Sequence, residues 1–156
     1  MNRSIKKLAD PEALLKRMAG LCARSEQCTF DILTKLYKAG LPAEKRDEII
    51  DYLTANRYLD DARFARSFAS YKVRFAAWGK RKIRMALAAK RIESSMIADA
   101  LDAISEEDYS DALNRVIESR SRDLNLADRD QRGKLYRSLL SRGFEPDIIS
   151  RALSRL

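Results

Sequence analysis

Three stretches of this 156-residue chain align with one another without gaps at offsets of 51 and 52 residues. Ile32, Ile83 and Leu135 fall in register. So do Leu36, Leu87 and Leu139; Leu41, Ile92 and Phe144; and Ile50, Leu101 and Leu153. Gly40 and Gly143 also coincide, with Arg91 at the position between them. A period near 50 residues enclosing helical apolar patterns implies tandem three-helix units. Each unit is too small to bury much by itself, so neighbours are expected to pack on one another.

The helices can be read off one by one. Asp10-Pro11-Glu12 is a helix start, with a capping Asp, a Pro at the first helical position and an acid in the first turn. Leu14, Leu15, Met18, Leu21 and Cys22 follow at helical spacing. A second helix carries Ile32, Leu33, Leu36 and Tyr37 and ends near Gly40. Pro42 opens a third, with Ile49, Ile50 and Leu53, running to about Asn56. Phe64, Phe68, Tyr71 and Phe75, spaced 4, 3 and 4, predict one buried helical stripe, broken at Trp78-Gly79. Ile83 and Leu87, then Ile97, Leu101 and Ile104, mark the next two helices. Leu113, Val116 and Ile117 precede a polar stretch from Arg120 to Arg132. Leu135, Leu139 and Leu140 lead to a stop at Gly143, and Ile148, Ile149, Leu153 and Leu156 form the last helix. Only five Gly and three Pro leave little turn chemistry for a β-sandwich or barrel. The expected fold is all-α, with three repeats over 10–57, 58–105 and 106–156.

Composition removes most catalytic chemistry. The chain has no His, which excludes Ser-His-Asp and Cys-His arrangements and most zinc sites. Cys22 and Cys28 lack metal-ligand or redox spacing and read as reduced thiols. The five glycines are isolated, so there is no P-loop or dinucleotide fingerprint. Asp60-Asp61 and Glu106-Glu107-Asp108 sit where helices begin, which suits capping better than metal binding. No cofactor, no metal and no enzymatic activity are expected. Met1 to Glu26 holds no unbroken apolar run, so neither signal peptide nor membrane span is expected there.

The net charge of +8 is concentrated in one place. Residues 62–92 hold ten basic side chains and no acidic one, whereas 1–61 hold eleven and ten, and 93–156 hold ten and thirteen. Such a block repels itself unless an anionic partner is met. Lys80, Arg81, Lys82 and Arg84 follow Gly79 at the start of a helix, the end where the dipole disfavours cations. An anion bound there would account for them, with backbone N–H groups and side chains converging on it. Long side chains extended into water would be the plain alternative. The aromatic stripe, flanked by Arg63 and Arg74, could stack bases, but its spacing is that of a core face.

The segment Tyr58-Leu59-Asp60-Asp61-Ala62-Arg63-Phe64-Ala65 resembles the central motif of the RecX family, regulators of the RecA recombinase. Phe68, Gly79, Lys82-Ile83, Leu87 and Lys90-Arg91-Ile92 continue the resemblance. Two positions depart from the pattern: Lys80 stands where the family often has Pro, and Arg91 where it usually has Gly. The resemblance implies three tandem three-helix repeats in an elongated, curved arrangement. It also implies a cytoplasmic protein that binds the RecA–DNA filament and inhibits its ATPase, strand-exchange and coprotease activities. On that view Lys72, Arg74, Lys80, Arg81, Lys82, Arg84, Lys90 and Arg91 form the face that meets the filament, and DNA alone is bound weakly. Self-repulsion of the basic block and the serial repeat suggest a monomer. The alternative is a helix-turn-helix-like protein that binds nucleic acid directly through the phosphate backbone.

Overall fold

The structure, a computed structural model, describes residues 9–156. Among these residues it has nine α-helices and no strand. The helices are α1 (Pro11–Arg24), α2 (Thr29–Lys38), α3 (Ala43–Ala55), α4 (Asp61–Ala76), α5 (Lys80–Ala89), α6 (Ser94–Asp102), α7 (Glu106–Ser121), α8 (Arg129–Ser141) and α9 (Pro146–Leu153). The chain is thus all-α, as the repeat and the turn-poor composition require. No helix among the described residues is long and apolar enough to cross a membrane. The reading of Met1 to Glu26 as free of signal or span rests partly on residues 1–8, outside the described residues.

Local chemistry places the helix starts. Asp10 accepts a hydrogen bond from the Glu12 N–H at 3.0 Å, Ser105 from Asp108 and Asp128 from Asp130. Both Asp residues of the central motif are caps. Asp60 accepts from the Arg63 N–H at the start of α4, whereas Asp61 reaches across to the Thr29 N–H at 2.8 Å and caps α2. Arg63 binds Glu26 at 2.6 Å and also donates to the carbonyls of Arg57 and Tyr58. The motif is therefore a knot of caps that fastens the α1–α2 connection to the start of α4.

The chain divides into two compact units, one ending at Phe64 and one running from Ala65 to Leu156. The first is built on Met18, Ile32, Leu36, Leu41, Ile49, Leu53 and Leu59. Ile50, which is in register with buried Leu101 and Leu153, is only partly buried; Ile49 and Leu53 carry the inner face of α3 instead. Cys22 and Cys28 lie in this unit without a disulfide between them, and burial pushes the Cys22 thiol up from its ordinary value. The second unit buries Ile83, Leu87, Leu135, Leu139 and Phe144 completely.

The repeat is visible in three identical turns. α2, α5 and α8 each end in a residue of positive φ: Gly40 (+83°), Arg91 (+56°) and Gly143 (+95°). In each turn the next N–H bonds back five residues at 3.2 Å, Leu41 to Leu36, Ile92 to Leu87 and Phe144 to Leu139. This is the Schellman closure, in which the left-handed residue is normally Gly. Arg91 holds that conformation at a cost of about 1–2 kcal/mol, offset in part by the about 0.5–1 kcal/mol that Gly would lose to unfolded-state freedom. Arg91→Gly is therefore expected to stabilise the protein by about 0.5–1 kcal/mol, read as a higher denaturation midpoint. A lower midpoint would mean that the arginine side chain contributes more than its backbone strain costs.

The aromatic stripe of α4 departs from expectation. Phe64 is buried at 8% exposure, but Phe68 is half-buried, and Tyr71 and Phe75 are 58% and 72% exposed. The buried side of α4 in the second unit is made instead of Ala65, Ala69 and Val73, spaced by four residues. Small side chains allow close approach there, and the large rings are left to the flank. Phe64→Ala is accordingly expected to cost about 3–5 kcal/mol. Tyr71→Ala and Phe75→Ala should each move stability by no more than about 0.5 kcal/mol, as surface changes do. Equal losses at all four ring positions would restore the core reading.

Candidate functional site

The acid-free segment 62–92 folds as most of α4, the α4–α5 connection, α5 and the turn after it. α4 closes where the Trp78 N–H bonds the Lys72 carbonyl at 3.0 Å, with Ala77 at φ +51° between them. That turn sets the indole of Trp78 between two ammonium groups. Lys72 Nζ and Lys82 Nζ each lie 4.4 Å from the ring centroid. Lys72 also faces the rings of Phe68 and Tyr71 at 5.4 and 5.9 Å, and Phe68 meets Trp78 edge-on at 6.2 Å. Cation–π attraction of about 0.5–1 kcal/mol per pair offsets some of the repulsion between the two lysines.

The start of α5 is engaged differently from what its cations suggest. The Gly79 N–H bonds the Arg142 carbonyl at 2.7 Å, the Lys80 N–H the Tyr109 hydroxyl at 2.9 Å and the Arg81 N–H the Gly143 carbonyl at 3.0 Å. Three of the backbone donors that would have cradled an anion, those of Gly79, Lys80 and Arg81, are satisfied from the α8–α9 turn and from α7, so anion recognition here rests chiefly on side chains. Tyr109 completes the arrangement. Its hydroxyl donates to Glu145 Oε2 at 2.6 Å, and burial, reinforced by that carboxylate, holds the phenol protonated far above its ordinary range.

The eight cations of the sequence-based site separate into groups. Lys72 and Lys82 converge on Trp78. Lys80 is half-buried, with Nζ 5.0 Å from the Tyr109 ring. Arg74 pairs with Asp108 at 3.0 Å, an exposed contact of little energetic weight that nonetheless occupies the guanidinium. Lys90 and Arg91 stand at the C-terminal end of α5, where the helix dipole favours cations. Arg81 and Arg84 point outward on one stripe of α5 with exposed Met85 and Ala88. Four of the eight are exposed, Arg74, Arg81, Arg84 and Arg91, and of these Arg74 is held by Asp108.

Three arginines that no local signal in the sequence singled out join this surface. Arg115 Nη2 donates to the carbonyls of Val73 and Arg74 at 3.2 and 2.6 Å, and Arg142 Nη1 to Ala76 at 3.1 Å. These guanidiniums close the C-terminal carbonyls of α4. With exposed Arg120 and the ring of Phe75 they line an open hollow of about 320 Å³ that has no acidic residue in its wall.

Comparison with known proteins identifies the family of the chain. The pattern of the second three-helix domain of RecX matches residues 60–101, and that of the third matches residues 106–153. Regulatory protein RecX of Pseudomonas fluorescens is 32% identical over 142 residues, which cover 91% of this chain and 90% of that protein. Regulatory protein RecX of Clostridium tetani is 26% identical over 137 residues, covering 85% of this chain but 61% of that protein. The fold agrees with the crystal structure of RecX from Lactobacillus salivarius at a TM-score of 0.77 and 20% identity, over 94% of this chain and 96% of that one. A second crystal structure, of a regulatory protein RecX, agrees at 0.80 and 22% identity over 94% and 72%. The two matched domains and a relative 32% identical over nine-tenths of both chains show that this chain belongs to the RecX family of regulatory proteins.

Proposed function

We propose that the protein binds the RecA recombinase–DNA filament and inhibits its ATPase, strand-exchange and coprotease activities, tempering recombinational repair in the cytoplasm. It acts as a monomer, without catalysis of its own, through the three repeats 10–57, 58–105 and 106–156. Membership in a regulatory family over nine-tenths of the chain supports the regulatory role. The observation that carries the mode of binding is the outward pair Arg81 and Arg84, exposed in a segment of ten cations and no acid. Two exposed guanidiniums with no side-chain partner among the described residues suit phosphates or carboxylates of a filament.

Backbone binding to DNA without a recombinase is the second reading, and the same arginines favour it. The α5 helix, Lys80–Ala89, holds no Asn or Gln, so its contacts would go to phosphate rather than to base edges. Titrating the protein into a recombinase hydrolysing ATP on single-stranded DNA decides between the two. A regulator lowers turnover as it is added and binds filament far better than bare duplex. Unchanged turnover, with equal binding to filament and duplex, would leave only the second reading.

A further inference from the structure

Tyr71 and Phe75 are the largest exposed aromatic pair of the second unit, and the proposed function leaves them without a role. They are 58% and 72% exposed on α4, with ring centroids 5.1 Å apart and planes tilted by 40°. Cations lie at both ends of the pair. Lys72 faces Tyr71 and, together with Lys82, flanks Trp78. Phe75 shares the acid-free hollow with Arg115, Arg120 and Arg142.

We propose that Tyr71 and Phe75 form a stacking site for unpaired bases of single-stranded nucleic acid, with Lys72 and Lys82 at one end and Arg120 at the other meeting the phosphates. The site rests on the reading that the protein works on a filament holding single-stranded DNA, but its test needs no recombinase. The chemistry selects this ligand over others. An acidic peptide would engage the cations and leave two rings facing water. A purely apolar partner would have to desolvate the ammonium and guanidinium groups around those rings. Duplex DNA keeps its bases stacked on one another, so it offers phosphates and base edges but no base face to the rings. Only a single strand supplies a polyanionic backbone and free base faces together, and aromatic side chains between cations are the usual means of holding one.

The test compares two labelled oligonucleotides by fluorescence anisotropy: an oligothymidylate twelve nucleotides long, and an abasic strand with the same number of phosphates. The intact protein is expected to bind the thymidylate at least about tenfold more tightly than the abasic strand. The single tryptophan supplies a second readout. Phosphate drawing Lys72 or Lys82 off the Trp78 indole should change its emission. Tyr71→Ala with Phe75→Ala should abolish the preference for bases while melting like the parent. Tyr71→Leu with Phe75→Leu, which keeps apolar area but removes the ring faces, should abolish it equally.

Equal affinity of the parent for both strands would overturn the proposal, as would undiminished thymidylate binding by either variant. Variants that keep thymidylate binding and lose the filament would assign the rings to a protein partner instead. The two readings fail separately. A base preference without any effect on recombinase ATPase refutes the regulator and leaves the stacking site standing. ATPase inhibition without a base preference does the reverse.

Discussion

Gly79→Ala is expected to unfold the second unit or to lower its stability by at least about 3–5 kcal/mol. A Cβ at Gly79 would overlap the carbonyl carbon and oxygen of Gly143 and the amide nitrogen of Phe144. These are backbone atoms, which cannot swing aside as a side chain can. The obstruction is reciprocal, because a Cβ at Gly143 would overlap the Cβ and amide nitrogen of Lys82, and its φ of +95° is itself one that side chains rarely adopt. Separating the two turns to make room would break the bonds from Gly79 to Arg142 and from Arg81 to Gly143. It would also open the packing around Phe144, which is fully buried. Overpacking of this kind costs about 1–3 kcal/mol even where neighbours can yield, and each broken backbone bond adds about 1 kcal/mol. Against a total stability of about 5–15 kcal/mol, the loss is large. Chemical denaturation followed by circular dichroism reads it directly. A midpoint shift worth less than about 0.5 kcal/mol would mean that these turns do not cross as described.

Arg81→Glu combined with Arg84→Glu should weaken filament binding by on the order of tenfold to a hundredfold at low salt, with the fold intact. Both side chains are exposed, so the exchange removes no core packing. Stability should stay level or rise slightly, since acids near the start of α5 suit the helix dipole better than cations do. If the partner atoms are phosphates, the parent's affinity falls steeply with salt, and the double variant's slope is shallower by about two contacts. The measurement is a salt titration of filament binding, parent against variant. Equal affinity and equal slope would return Arg81 and Arg84 to the role of a solvated face. The pair is separable from Tyr71 and Phe75: charge reversal acts on the salt slope, whereas loss of the rings acts on the difference between base-bearing and abasic strands.

Much of the architecture follows from short-range features of the chain. Asp10-Pro11, Ser105 and Asp128 start helices because a side-chain oxygen within three residues satisfies an otherwise unpaired N–H. Gly40, Arg91 and Gly143 align because each closes a helix in the same left-handed turn, so one conformation recurs at a fixed period. Asp60 reads as a cap for the same local reason. Its neighbour Asp61 looks identical in sequence, yet it caps α2, 32 residues away, a pairing that only the folded chain creates.

The α4 stripe was the least legible part. Phe64, Phe68, Tyr71 and Phe75 lie on one side of the helix, and their 4-3-4 spacing is that of a core face. Periodicity reports which side of a helix is apolar but not which side another element covers. Here Ala65, Ala69 and Val73 form a second, narrower stripe that is buried throughout, whereas of the ring stripe only Phe64 is. The candidate surface was legible to a similar extent. The block of ten cations in 62–92 marked the surface proposed to meet anionic partners, because the charge is written along the chain whatever the fold. Which of those charges remain available was decided in three dimensions. Asp108 occupies Arg74 from 34 residues away, and Tyr109 meets Lys80 from 29. The α8–α9 turn takes the donors at the start of α5, and α7 and α8 bring Arg115, Arg120 and Arg142 to Phe75. The sequence by itself determined the helices, the caps at Asp10, Asp60, Ser105 and Asp128 and the repeated turns, since each depends on atoms a few residues apart. Tertiary structure decided the burial of α4 and the free charges of the basic face, since each depends on which distant backbone and side-chain groups packing brings within reach.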